Sequence, residues 1–191
     1  TDILEIMQRA EDASVEKFYL PAIDSTTHEA MLQMEKDFPG KCIAMMGLHP
    51  CYVKENFEEE LAIVKHWLGK RDFVAVGEIG LDFYWDKTFV TQQMKAFEMQ
   101  MQWALEKKIP IAIHARDSMD ECIEMTKPFA GKGLKGIFHC FGGTELQAKA
   151  IVAMGFYLGI GGVFTFKKAN MPEVLRNISV ENMVLETDAP Y

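Results

Sequence analysis

Phe73-Val74-Ala75-Val76-Gly77-Glu78-Ile79-Gly80-Leu81-Asp82 opens as an apolar run and ends among carboxylates. Four apolar residues in succession, with no polar alternation, are the pattern of a strand buried on both faces, so Phe73 to Val76 reads as strand. Glu78 then falls where that strand emerges, held between Gly77 and Gly80. A carboxylate is costly to bury alone, and a cation against it removes that cost. Three later stretches repeat the pattern of an apolar run ending in a metal-capable side chain. They are PIAIHAR (110–116) with His114, KGIFHCF (135–141) with His139 and NMVLETDAP (182–190) with Asp188.

Working outward, strands and helices alternate along the whole chain. Strand patterns cover 17–24, 41–48, 110–115, 136–141, 156–160 and 182–186 in addition to the Glu78 strand. Helical spacing of apolar residues covers 3–13, the segment from Thr26 to Asp37, 57–70, about 88–108, 119–129, 145–154 and 172–177. Thr26-x-x-Glu29 has the form of a capping box for the second helix. Glu58, Glu59 and Glu60 stand in the first turn of the third, where the helix dipole favours them. His28 and His66 fall on helices and read as solvent-facing.

Strict alternation means parallel strands joined by crossover helices. A closed (β/α)8 barrel and an open doubly wound sheet both satisfy it. In a barrel, the ends of many strands converge on one face. In an open sheet the site sits at one switch point, beyond the reach of distant strands. Four strand-end ligands therefore favour an α/β fold of the TIM type, a (β/α)8 barrel. Seven strands are found, and the chain opens on a helix and stops just past the last strand. The expectation is a single barrel domain, residues 1–191, lacking the first strand and the final helix and so incomplete at both ends.

At 191 residues the chain can bury one sizeable core, and 49% hydrophobic content excludes a disordered protein. No apolar run is long enough to span a bilayer, so no membrane partner is expected. Cys42, Cys51, Cys122 and Cys140 show no CxxC spacing, which points to free thiols and a reducing, cytoplasmic setting. The net charge of −8 excludes a simple basic nucleic-acid-binding module. It leaves room for an enzyme that meets phosphates through bound cations. GxSxG, HExxH and P-loop motifs are absent.

Each site residue has a bland reading beside the functional one. Glu78, whose two oxygens could bridge two cations, could instead pair with an arginine. His114 and His139 carry the imidazoles that transition metals prefer, but a strand-end histidine can also be a plain rim residue. Asp188 could bind metal and hold or deprotonate a water; otherwise it caps the Asp-Ala-Pro turn. His49, before Pro50, could orient a scissile phosphate or carbonyl, or simply shape a turn. Arg116 could grip a phosphate in bidentate fashion, or pair with Asp117. Gly159 to Gly162, GIGG, lacks the full G-x-G-x-x-G and reads as close packing or a loop at the barrel mouth.

GLHP (47–50), GEIGLDFY (77–84), IHARD (113–117), HCFGGT (139–144) and ETDAPY (186–191) together resemble the TatD family of metal-dependent hydrolases, TatD-type DNases of the amidohydrolase superfamily. The resemblance implies a TIM-like barrel with one or two divalent metal ions, magnesium, manganese or zinc, at the C-terminal ends of the strands. Carried over motif by motif, Glu78 is the bridging ligand, His114 and His139 hold one metal, Asp188 serves the other, and His49 contacts the substrate phosphate. The family's H-x-H on strand one has no counterpart in this chain. The expected activity is hydrolysis of DNA phosphodiester bonds by a metal-activated water, with Asp188 and Glu78 as catalytic groups. Two alternatives stand beside it. One is hydrolysis of another ester or amide, such as the ester of a D-aminoacyl-tRNA; the other is an impaired barrel fragment acting as an interaction module.

Overall fold

The computed structural model describes residues 2–188. Its elements alternate: α1 (Ile3–Asp12), β1 (Phe18–Pro21), α2 (His28–Asp37), β2 (Cys42–Met45), α3 (Phe57–Lys70), β3 (Val76–Asp82) and α4 (Val90–Lys107). They continue with β4 (Ile111–Arg116), α5 (Met119–Ala130), β5 (Gly136–Phe138), α6 (Glu145–Ala153), β6 (Tyr157–Ile160), α7 (Met171–Leu175) and β7 (Met183–Leu185). Every strand pair is parallel, and strands adjacent in sequence are adjacent in space: β1 with β2, then β3 through β7 in order. A single bridge between Met46 and Val76 joins the end of β2 to the start of β3. This is the sequential, parallel arrangement of a TIM-barrel-like α/β fold. Among the described residues, β1 and β7 do not pair with each other.

The core lies between the strands and the helices that cover them. Val76, Ile79 and Leu81 of β3, Ile111 and Ile113 of β4, and Phe138 of β5 are almost fully buried. They pack with Leu61 and Val64 of α3, Phe97 and Met101 of α4 and Ile151 of α6. Among the described residues, no helix is long and apolar enough to cross a membrane. The four cysteines are free.

Three local expectations are corrected. The third strand begins at Val76, not Phe73, so Glu78 is its third residue and not its end. Phe73 and Ala75 are buried, as their apolarity requires, but the pairing with the next strand starts only where Val76 N–H donates to the Pro110 carbonyl. Hydrophobicity reports burial and is silent about where a hydrogen-bond ladder begins. The capping box is formed two residues earlier, by Asp24 and Thr27 around the 3₁₀ turn Ser25–Thr27, since Asp24 accepts from the Thr26 amide at 3.0 Å and leaves Glu29 unused as a cap. His28 is buried, 3% exposed, while His66 is exposed as read.

Candidate metal centre

The site is assembled by backbone approach. Gly80 of β3 lies in register with His114 of β4, with φ +140°, and a Cβ at Gly80 would stand 2.0 Å from the His114 carbonyl oxygen. Only glycine permits that approach. The pairing of β3 with β4 shifts register between Val76 and Ile79, the stretch that carries Glu78. Glu78 Oε1 stands 3.5 Å from His114 Nδ1. It is 3.8 Å from Nε2 of His139, which follows directly on β5. Asp188, beyond β7 and largely exposed, brings Oδ1 to 3.6 Å from the same His139 nitrogen. His49 caps the 3₁₀ turn Pro50–Tyr52 after β2; its Nε2 lies 3.7 Å from Glu78 Oε2, and its ring meets His114 edge-on with centroids 4.6 Å apart.

Two carboxylates that the sequence reading did not single out complete the arrangement. Asp82 Oδ2 lies 2.9 Å from His114 Nε2, and Glu186 Oε1 lies 3.0 Å from His139 Nδ1. Each imidazole thus has its outer nitrogen on a carboxylate and its inner nitrogen turned towards Glu78. A carboxylate on the far nitrogen fixes the tautomer of a metal-ligating histidine and raises its basicity. Room for Glu186 comes from Gly159, where a Cβ would sit 2.2 Å from Glu186 Oε1. The GIGG stretch is close packing in this sense. Glu186 also accepts the Cys140 amide, which anchors the turn after His139.

The fit to a cation rests on one atom. Glu78 Oε1 is buried and has no hydrogen-bond partner, a state that costs about 1–3 kcal/mol or more for a charged group. The imidazole nitrogens facing it at 3.5 and 3.8 Å are too far for hydrogen bonds. Such gaps suit ligands that share one cation, each about 2.0–2.2 Å from it. His49, Cys51 and His114 also form a group whose ligand atoms all lie within 4.8 Å of one another. Of these, His49 Nδ1 already accepts the Cys51 amide at 3.2 Å. The Cys51 thiol is pushed up to about 12 by burial and by the charge of Asp82, so a cation drawing on it must displace its proton. The chain carries the donor set of a divalent-metal cofactor.

The electrostatics explain how the site holds together without a cation. Burial alone would push His114 down, but its hydrogen bond to Asp82 and the nearby charges of Glu78 and Asp82 outweigh it and raise it to about 9. His139 is likewise held at about 9, against burial, by Glu186 and by the charges of Glu78 and Asp188. His49 is lowered to about 4, first by burial and then by the neighbouring His114, so it is neutral at pH 7. Burial opposes ionisation of Glu78, yet its contacts with His114, His139 and His49 hold it below its usual value. Protonated imidazoles therefore supply the positive charge that a cation would supply.

The sign of the pH dependence follows. Groups raised from 6.5 to about 9 stabilise the metal-free fold fully below 6.5 and lose that contribution as pH rises through about 9. Metal binding displaces the same protons, so affinity rises with pH up to about 9. We expect titration calorimetry in buffers of different ionisation enthalpy to detect between about one and two protons released per metal bound at pH 7. No proton release would contradict the placement of both histidines at the cation.

The five residues Glu78, His114, His139, Asp188 and His49 are thus brought together, and Arg116 stands beside them without contacting Glu78. Arg116 ends β4 on the rim, its guanidinium 4.0 Å from the Tyr84 ring centroid and 5.3 Å from that of Trp85. Asp82 could have been found from its place two residues beyond Gly80 on the face that alternation gives to Glu78's strand. Glu186 could have been found from its place two residues before Asp188.

Comparison with known proteins shows the family. The family model described as TatD related DNase matches residues 1–191. The uncharacterized metal-dependent hydrolase YabD of Bacillus subtilis is 36% identical over 194 residues, covering 100% of this chain and 75% of that protein. The 3'-5' ssDNA/RNA exonuclease TatD of Edwardsiella piscicida is 31% identical over 192 residues, covering 100% of this chain and 74% of its own. Among solved structures, the TatD homologue YjjV of Escherichia coli superposes with a TM-score of 0.88 at 29% identity, over 96% of this chain and 71% of that one. Each is a protein that this chain resembles, and the chain spans about three quarters of the relatives' length. A match that runs from the first residue to the last, with identity above 30% across the whole of it, means that the chain belongs to the TatD family and is a metal-dependent hydrolase of the amidohydrolase superfamily.

Proposed function

We propose that the chain hydrolyses phosphodiester bonds in DNA at a divalent-metal centre held by Glu78, His114, His139 and Asp188. The observation that carries the reading is Glu78 Oε1, a buried, partnerless carboxylate oxygen faced by the inner nitrogens of two imidazoles. The names of relatives that act on single-stranded DNA or RNA support the choice of substrate. A divalent cation bound here supplies Lewis acidity, lowering the pKa of water and neutralising charge on phosphoryl oxygens. Glu78 would hold such a cation through its partnerless carboxylate, whose other oxygen faces His49. Asp82 and Glu186 hold the imidazoles in the tautomers that present their inner nitrogens. Asp188, exposed and next to His139 Nε2, takes the proton of the attacking water at its carboxylate. His49 is neutral, and with Nδ1 accepting from Cys51 its proton sits on Nε2, so it donates to a phosphoryl oxygen and does not ligate. Arg116 binds a phosphate at the rim.

The same reading takes residues 1–191 as one (β/α)8-type barrel domain. Among the described residues, seven parallel strands in sequence order support it, with β7 and β1 not paired to each other. Four free thiols support a reducing, cytoplasmic setting. The test is hydrolysis of end-labelled single-stranded DNA before and after chelation. Cleavage that is lost with chelator and restored by magnesium, manganese or zinc is the expected result. Cleavage untouched by chelator contradicts the reading.

A further inference from the structure

We propose that Tyr84 and Trp85, with Arg116 laid against them, form a nucleobase-stacking platform beside the metal centre, a subsite for an unpaired base of the strand being cut. The inference rests on the nuclease reading above and names the part of the substrate that the rim recognises.

The first observation is exposure. Trp85 is 68% and Tyr84 53% exposed, edge to face at 4.9 Å between centroids. Large aromatic rings left open to solvent beside a catalytic centre are costly unless something covers them. The guanidinium of Arg116 lies 4.0 Å from the Tyr84 ring centroid and 5.3 Å from that of Trp85, so a cation and two rings at right angles to each other share one patch, with the largely exposed Trp85 ring available to a base.

The second observation ties the platform to the centre through one side chain. Asp82 Oδ1 accepts the backbone amides of both Tyr84 and Trp85 at 3.0 Å, and Oδ2 lies 2.9 Å from His114 Nε2. Asp82 is itself in register with Arg116, and the Phe83 amide donates to the Arg116 carbonyl at 2.9 Å. His114 and Arg116 are two residues apart on β4, so they share a face about 7 Å from each other. The same carboxylate therefore orients a ligand imidazole and pins the aromatic loop at a fixed offset from it.

The third observation is charge. With a net charge of −8, the chain has no general positive surface on which to collect a polyanion. A cleft beside the centre, about 790 Å³, is lined by Asp117, Asp120, Glu121 and Glu145 against the single cation Arg116. Lys54, close to the aromatic loop, is paired with Asp86 at 3.0 Å. Affinity for a strand must then come from contacts that do not rely on net charge, and base–aromatic stacking supplies about 1–3 kcal/mol per base. In a duplex the base faces are already stacked on one another, so the platform selects single strands and frayed ends.

The test uses chelator-treated protein and the anisotropy of dye-labelled oligothymidylate, compared with an abasic oligonucleotide of equal length. The wild-type chain is expected to bind the base-bearing strand about tenfold or more tighter. Tyr84→Ala and Trp85→Ala keep their backbone amides and hence the Asp82 contacts, so each is expected to lose most of that difference, while Trp85→Phe retains it. In metal-loaded protein the alanine variants should raise KM on single-stranded DNA with little change in kcat. Equal affinity for the two strands in a wild-type chain that cleaves DNA would overturn the platform and leave the nuclease reading standing. Neither binding nor cleavage of any strand would overturn both.

Discussion

Replacing Glu78 with glutamine is expected to lower kcat/KM on DNA by at least about 10³-fold, equivalent to about 4 kcal/mol of transition-state stabilisation. The amide keeps the shape of the side chain and removes its charge. One oxygen then remains where two were available, and an NH₂ group points at nitrogens that must stay free to ligate. The raised pKa values of His114 and His139 depend on that charge and should fall. Folding stability of the metal-free protein should fall near neutral pH, because the charge that holds His114 and His139 protonated is lost with the carboxylate. The diagnostic result is a chain that still folds, binds little metal and is inactive. Activity within about tenfold of wild type would show that Glu78 is not at the reacting centre.

Gly80→Ala is expected to cost about 2–6 kcal/mol of stability, the sum of about 1–3 for strained backbone and about 1–3 for overpacking. The new Cβ would meet the His114 carbonyl at 2.0 Å in a position whose φ is +140°. Backbone cannot swing aside as a long side chain can, so β3 and β4 must separate. That separation moves Glu78 away from His114, and metal affinity should fall with stability. Denaturant midpoints and metal content read the two effects together. A variant as stable as wild type would mean that the close approach of these strands is not required.

Much of this architecture is legible in the residues. Helix α3 was bounded correctly because its acidic first turn and its apolar stripe at Leu61, Val64 and Leu68 are strong local signals. The convergence of His114, His139 and Asp188 on Glu78 followed from a simple rule, that ends of parallel strands share one face. The position of Glu78 within β3 was not legible, because an apolar run reports burial and hydrogen-bond pairing begins only where Pro110 arrives from 34 residues away in sequence. Asp82 and Glu186 were missed for a related reason. Their work is done on the outer nitrogens of histidines from other strands, so the only sequence signal for them is their two-residue spacing from Gly80 and from Asp188. His28 was read as exposed from its place on a helix. Which face of α2 meets the core is decided by tertiary packing, and that face includes His28, with burial lowering its pKa.

The strong dependence on backbone approach also explains the glycines that flank the site. Gly80 brings Glu78 to His114, and Gly159 makes room for the carboxylate that orients His139. Both act by having no side chain. The chemistry of the centre is thus carried by charged groups on strands whose closest contacts are made by backbone alone.

The chain segments that carry Glu78, His114, His139 and Asp188 converge to hold a divalent metal. Elemental analysis of the purified chain, after dialysis against metal-free buffer, measures it directly. The account predicts at least about one tightly bound divalent ion per chain, lost in Glu78→Gln. A chain that carries no metal, and takes up none when magnesium, manganese or zinc is supplied, would contradict it.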